Sequence, residues 1–354
     1  MKILFIYTND IQKKFGGAQR TLQAKNALEK TNEVYSYFIN YNTNKYNIFL
    51  YSLFGILKGH YKDLIILKKL IKKEKFNIIF FDDCCNGFFI EYLKKRFPEM
   101  MFIVNYHNNE IKYYKNLFET NGILYYPLYR AAKRNQYKSI KYSDMNIFIT
   151  KKDMEEIMPV NHNCFVIPAT MEDKYIPSNL EISEPYHLFF GAGFYANVDA
   201  AKRIISEIAP KTNEKIVIAG NGMDIALKNE TIPSNVTVLG FIDNVNNLFI
   251  GAKSFLAPIT IGSGMKIKII DALMRGKYVI TTPFASIGYI TSDKVFFISN
   301  SSEEMISCME SLKNTELFNQ KSRELYEKYY NANCDEKYYE IVTTEYKNFI
   351  GSGK

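Results

Sequence analysis

The run from Pro258 to Gly276 gathers the residues best suited to holding an anion. A strand-like stretch, Ser254 to Ala257, leads into a turn at Gly262, Ser263 and Gly264. Met265, Lys266 and Lys268 follow, and then Asp271 in a helical frame. A strand that feeds a helix through a glycine-containing turn leaves backbone N–H groups facing outward, ready to bind an anion. Two lysines in the first turn of a helix oppose its macrodipole, at a cost of a few tenths of a kcal/mol each. A diphosphate placed there would remove that cost. The competing reading is a solvated helix start with a local Lys268–Asp271 pair.

Other chemistry-bearing residues are sparse. The chain has four histidines, and of these His107 follows the apolar run Met101 to Asn105, in the segment Tyr106-His107-Asn108-Asn109-Glu110. Gly16 and Gly17 follow the opening apolar run and precede a helical stretch carrying Arg20. Asp82 and Asp83 form an acidic pair, but in an apolar segment. Five cysteines show no metal-ligand spacing, and Cys84-Cys85 closes an apolar run as buried, reduced thiols would. Neither a Gly-x-Ser-x-Gly elbow nor a full dinucleotide fingerprint is present.

These residues require elements to position them. In the first half, Lys2 to Tyr7, Val34 to Ile39, Asn77 to Phe81, Met101 to Asn105, Met145 to Thr150 and Cys164 to Ile167 read as strands between amphipathic stretches. After a polar, proline-containing segment the pattern restarts with Leu188 to Gly191, Lys215 to Ala219, Val236 to Leu239, Ser254 to Ala257 and Tyr278 to Thr281. Short apolar runs alternating with helices predict α/β architecture with parallel sheets. The expected division is residues 1–170 as an N-terminal Rossmann-like domain, 171–186 as a linker and 187–313 as a C-terminal Rossmann-like domain. Helices at 314–350 would follow, crossing back to the first domain.

Composition fits this reading. At 354 residues, 47% hydrophobic and 23% charged, the chain suits a two-domain globular enzyme. No apolar run is long enough to span a bilayer, and the start flows directly into a strand, so a cytoplasmic location is expected. The net charge of +8 is spread along the chain, densest from Lys58 to Lys75. There Leu64, Ile65, Leu67, Leu70 and Ile71 suit a helix docked on a core with its lysines solvated. Contact with an anionic membrane, at the inner face of the plasma membrane, is the sharper alternative. No nucleic-acid motif accompanies the charge.

With these residues in view, the chain resembles glycosyltransferase family 4, the group 1 glycosyltransferases of GT-B fold. The resemblance runs from Lys2 to about Ile290 and is most specific at the donor helix. Asp271-Ala272-Leu273 takes the place of the family's Glu-Ala-Leu, where the acidic residue binds the ribose hydroxyls. The family's earlier glutamate is replaced by Ser263, as in the branch with a Gly-Ser-Gly donor loop. The loop at Gly191 resembles the branch with Asn197-Val198-Asp199-Ala200 at the helix start and lacks the usual cations, which leaves charge neutralisation to Lys266 and Lys268. Asn197 also reads as a helix N-cap. Gly240 and Phe241 match the loop whose backbone faces the nucleobase, and His107 matches a residue that bonds the donor sugar.

The resemblance implies two Rossmann-like domains facing a central cleft. It also implies retaining, metal-independent transfer from a nucleotide-diphosphate sugar, a UDP- or GDP-sugar, with no cofactor. The catalytic residues would be His107, Lys266 and Lys268. The donor would rest on Gly16, Gly17, Gly191, Gly240, Phe241, Gly262, Ser263, Gly264, Met265 and Asp271. The acceptor would be a glycan or a polyprenyl-linked saccharide in bacterial surface polysaccharide biosynthesis. The rivals are a GT-B sugar-nucleotide epimerase, active without an acceptor, and a non-catalytic sugar-nucleotide-binding partner, which would bind without turnover.

Overall fold

The computed structural model describes all residues except 13–15, 42–44, 158–162, 178–181, 183, 263, 314–316 and 353–354. The chain divides into two compact units, Met1–Ala169 with Asn333–Lys354, and Thr170–Ala332.

The first unit holds strands β1 (Lys2–Tyr7), β2 (Glu33–Phe38), β3 (Ile78–Phe81), β4 (Met101–Asn105), β5 (Met145–Phe148) and β6 (Cys164–Val166). They form one parallel sheet in the order β2-β1-β3-β4-β5-β6. The helices are α1 (Gly16–Glu29), α2 (Lys45–Leu53), α3 (Tyr61–Glu74), α4 (Gly87–Lys94), α5 (Glu110–Asn121), α6 (Tyr126–Tyr142) and α7 (Lys151–Ile157), with α14 (Asp335–Gly351) from the end of the chain. β3 and β4 are buried along their whole length, as a sheet covered on both faces requires. One face packs Leu4, Ile6, Phe81 and Val104 against Leu64, Leu67 and Ile71 of α3 and Phe89 of α4. The other packs Ile3, Phe5 and Ile103 against Ala24 and Leu28 of α1 and Tyr339, Val342 and Phe349 of α14.

Two details of the basic segment differ from the sequence reading. Ile65 is exposed, not docked. Lys58 precedes the helix and turns inward to pair with the buried Asp83, so it is not one of the solvated lysines.

The second unit holds β7 (Tyr186–Phe190), β8 (Ile216–Ala219), β9 (Val236–Leu239), β10 (Ala252–Ala257), β11 (Tyr278–Thr281) and β12 (Phe296–Ile298). Its helices are α8 (Tyr195–Arg203), α9 (Met223–Ala226), α10 (Val245–Ile250), α11 (Ile267–Met274), α12 (Ser302–Ser311) and α13 (Gln320–Tyr329). The parallel sheet is ordered β12-β11-β10-β7-β8-β9. From β7 the chain builds outward through β8 and β9, then returns to the other side of β7 with β10. The loops after β7 and β10 therefore leave adjacent strands in opposite directions, which makes a topological switch point. After α8 the chain continues directly into a π turn at Ile204–Ile208.

The stretch read as a linker is tied into the second unit at its start. Met171 bridges to Asn331, the hydroxyl of Tyr326 donates to the Met171 carbonyl at 2.8 Å, and Arg323 pairs with Asp173. The terminal helices divide between the units, α13 with the second and α14 with the first. Among the described residues no helix is long and apolar enough to cross a membrane.

Candidate functional site

β10 ends at Ala257, and the chain turns over Gly262 and Gly264 before α11 begins. Both glycines have positive φ, +110° and +64°, a conformation that side-chain-bearing residues rarely adopt. This is the physical need for glycine on either side of Ser263, which itself lies outside the described residues. α11 starts with Lys266 at its N-cap and no capping side chain; the Ile269 N–H turns to the Lys266 carbonyl at 2.8 Å, and the helix itself supplies no acceptor for the N–H groups of Ile267 and Lys268. Met265 is buried beneath the turn. The Lys266 ammonium donates to the Gly264 carbonyl at 2.7 Å and stands 4.5 Å from the ring centre of Phe284. The hydroxyl of Tyr289 donates to the Lys266 carbonyl at 2.8 Å.

Lys268 points toward the neighbouring strand. Its ammonium donates to the side-chain carbonyl of Asn197 and lies 5.1 Å from the ring centre of Phe189. A Cβ placed on Gly191 would come within 2.7 Å of this nitrogen. The loop after β7 has no cation of its own in sequence, and in space it has this one. Burial, and then the charge of Lys266, pulls Lys268 down to about 7. An ammonium held so weakly is stabilised by any anion that enters.

Two sequence readings are corrected here. Asn197 is not an N-cap: Phe194 occupies that position, and Asn197 sits inside the first turn of α8. From there its amide donates to the Ala192 carbonyl at 2.8 Å while its oxygen receives Lys268. Nor does Lys268 pair with Asp271. Asp271 pairs one helical turn on, with Arg275 at 2.8 Å. Burial pushes the Asp271 carboxyl up from its ordinary value despite that pull.

The loops after β7 and β8 cross backbone to backbone. Gly193 donates to the Asn221 carbonyl at 2.9 Å, and a Cβ on Gly220 would lie 2.1 Å from the Gly191 oxygen. Gly240 follows β9 against the carboxylate of Asp224, which a Cβ there would meet at 2.8 Å. Phe241 is 72% exposed, an apolar ring presented to solvent beside that loop.

The first unit gathers a separate cluster beyond the carboxyl ends of β1, β3 and β4. Gly16 and Gly17 open α1, whose Arg20 is buried. His107 follows β4, with its Nε2 3.1 Å from Asp82 Oδ2. Nearby, Asp83 accepts from Thr8 at 2.9 Å and pairs with Lys58. Burial alone would raise Asp83, but the Lys58 ammonium holds it down at about 2. Burial pushes Glu110 up from its ordinary value.

Asp83, Cys84 and Cys85 are the one group of potential metal ligands gathered among the described residues. They fit a metal poorly, because Asp83 is already paired and burial holds both thiols in the protonated form.

Sequence reasoning missed Arg275, Tyr289, Asp224, Lys58 and the side-chain role of Asn197. Only Arg275 carried a local signal, its spacing of four from Asp271 in a helical frame. The others meet their partners through the fold alone.

Residues 184–314 match the family model described as glycosyl transferases group 1. No curated protein matches the chain by sequence. Among solved structures, sucrose-phosphate synthase of Thermosynechococcus elongatus superposes with a TM-score of 0.76 at 12% identity, covering 99% of each chain. A glycosyltransferase of Rickettsia africae gives 0.66 at 13% identity, covering 99% of this chain and 98% of the other. Anabaena HepE, solved with UDP-glucose, gives 0.62 at 12% identity, covering 97% of this chain and all 100% of its own. The two Rossmann-like units are thus those of the GT-B fold.

Proposed function

We propose, from a chain that carries a group 1 glycosyl transferase domain on a GT-B fold, that this protein is a retaining glycosyltransferase using a nucleotide-diphosphate sugar. The observation that carries the reading is the position of Lys268. Its ammonium bridges α11 and the first turn of α8, beside the loop after β7, at the switch point where open α/β sheets bind ligands. The uncapped start of α11, its glycine turn and Lys266 complete a cradle suited to a diphosphate.

Departure of the nucleotide diphosphate builds negative charge on its oxygens, and two cations with outward N–H groups stabilise that charge. Asp271 supplies a carboxylate for the ribose hydroxyls, steadied by Arg275. Gly191, Gly240 and Phe241 line the loops that receive the rest of the nucleotide. His107, with Gly16 and Gly17 in the first unit, binds the transferred sugar. No resident metal or cofactor enters the scheme, and UDP- or GDP-sugars are the expected donors. HepE, solved with UDP-glucose, supports the uridine alternative.

The acceptor is a glycan or a lipid-linked saccharide of a bacterial surface polysaccharide. The exposed face of α3 supports work at an anionic membrane, since Tyr61, Ile65 and Ile66 stand there among Lys62, Lys69, Lys72 and Lys73.

A thermal-shift panel of UDP, GDP, ADP and their sugar conjugates tests the donor. One nucleotide should raise the melting temperature well above the others, and no response to any of them would sink the reading. Binding without turnover on any acceptor would assign the chain to the non-catalytic alternative.

A further inference from the structure

His107 is nine-tenths buried, with side-chain exposure of 10%, and neither ring nitrogen makes a well-aligned hydrogen bond among the described residues. Buried polar atoms are rarely left so, and such vacancies mark places where a ligand completes the bonding. The two nitrogens are not equivalent. Nε2 is 3.1 Å from Asp82 Oδ2, at hydrogen-bond distance with its N–H out of line. Nδ1 has no partner.

Asp82 is fully buried and is held from its other side. Its Oδ1 accepts from Asn105 Nδ2 at 2.6 Å. Asn105 Oδ1 accepts in turn from Arg20 at 3.3 Å. Arg20 is fixed by the carbonyls of Ile167 at 3.0 Å and Pro168 at 3.1 Å and by Gln23 at 2.6 Å. A chain of side chains therefore runs from α1 through the end of β4 to the end of β3, and stops at the imidazole. Oδ2 is the one oxygen of Asp82 left without a donor. A buried carboxylate oxygen without a donor is costly, and a carboxylate can only accept.

We infer that Asp82 is a positioning residue, which keeps the His107 proton on Nε2 and so presents Nδ1 as a hydrogen-bond acceptor for a sugar hydroxyl. The inference rests on the glycosyl-transfer reading for its consequence, but not for its geometry. The partner of Nδ1 is a hydroxyl that donates, so a carbonyl or a phosphate oxygen in its place would be refused. His107 accordingly selects a saccharide with a free hydroxyl at that position over its deoxy or O-methyl analogue.

The tautomer can be read without turnover. Long-range 1H–15N spectra of protein labelled at its four histidines, with His107→Gln to assign the signal, should show a neutral Nε2–H ring at neutral pH. An Nδ1–H ring, which a protonated Asp82 would enforce, or an imidazolium overturns the inference. Asp82→Asn should mix the tautomers and lower kcat by at least about tenfold, with nucleotide affinity and melting temperature unchanged. Unchanged kcat alongside a shifted tautomer also overturns it, as does a loss of kcat that only follows a fall in melting temperature. Wild-type protein that transfers no sugar from any donor refutes the glycosyl-transfer reading instead, and leaves the tautomer result standing.

Discussion

The ammonium of Lys268 donates to the side-chain carbonyl of Asn197, joining the start of α11 to the first turn of α8. The two residues are 71 positions apart, and each belongs to the helix that follows one of the two central strands. The pair therefore marks the switch point of the second sheet with a single cation.

Removing that cation should show in turnover before stability. Lys268→Ala is expected to cut kcat by more than about tenfold while the thermal transition stays in place. Full activity in this variant would end the assignment of diphosphate charge to Lys268.

The same lysine predicts a proton signature. Burial and Lys266 lower it to about 7, so above that pH the Lys268 side chain is largely neutral. An arriving diphosphate favours the charged form and raises the value again. Nucleotide affinity should thus fall as pH rises through about 7. Calorimetry at slightly alkaline pH in buffers of different ionisation enthalpy should record proton uptake on binding, and Lys268→Met should abolish it.

Two glycines of the same crossing should respond differently to alanine. At Gly191 the added methyl meets the ends of side chains, Lys268 and Asn197, which can swing away. At Gly220, with φ at +147°, it meets the Gly191 carbonyl at 2.1 Å. Gly220→Ala should lower stability by at least about 2 kcal/mol. Gly191→Ala should leave the denaturation midpoint nearly unchanged and weaken nucleotide binding. Equal effects on stability would contradict this account of the loop.

Asp271 and Arg275 should separate by phenotype. Asp271→Ala is expected to weaken nucleotide binding measured by calorimetry, since it removes the proposed ribose acceptor. Arg275→Lys should do so to a smaller degree by loosening the carboxylate. Unaltered affinity in Asp271→Ala would count against the ribose role.

A pH effect on stability belongs to the amino-terminal end of that sheet's central strands. His187 is buried, its Nδ1 2.6 Å from Ser254 Oγ and its Nε2 3.3 Å from Glu214, which also pairs with Lys253 at 2.6 Å. Burial lowers His187 from its ordinary value, whereas His187 first and then Lys253 hold Glu214 at about 2. Both folded values lie below the unfolded ones. The His187 contribution is therefore complete above the unfolded histidine value and is lost as pH falls from there through the folded one. The Glu214 contribution persists to much lower pH and is lost as pH falls toward about 2. His187→Gln should flatten the stability profile on the mildly acidic side of neutrality, measured by urea denaturation, and leave the deeper acid transition in place.

Much of the fold was legible because each buried strand is a short apolar run and each helix carries a period. β1, β4, β9 and β11 end where their sequence patterns do. The three-residue β12 was missed although its run, Val295 to Ile298, is as long as the one that gave β6. The glycine turn and its lysines were legible for the same reason, being contiguous in sequence. Asn197 was misread because a local capping rule competed with a partner in another helix. Lys58 was misread because a lysine beside an amphipathic helix is ordinarily solvated, and here a carboxylate at the end of β3 draws it in. Asp82 read as half of an acidic pair with Asp83, whereas its side-chain neighbours are Asn105 and His107.

The placement of α14 has a consequence for synthesis. Tyr339, Val342 and Phe349 cover Ala24, Ala27 and Leu28, so the unit whose strands emerge first from the ribosome is completed last. Throughout translation of the second unit this apolar face of α1 stays open. A nascent chain halted after Ala332 should therefore be a client for chaperones, and ribosome pausing in that window a hazard to yield.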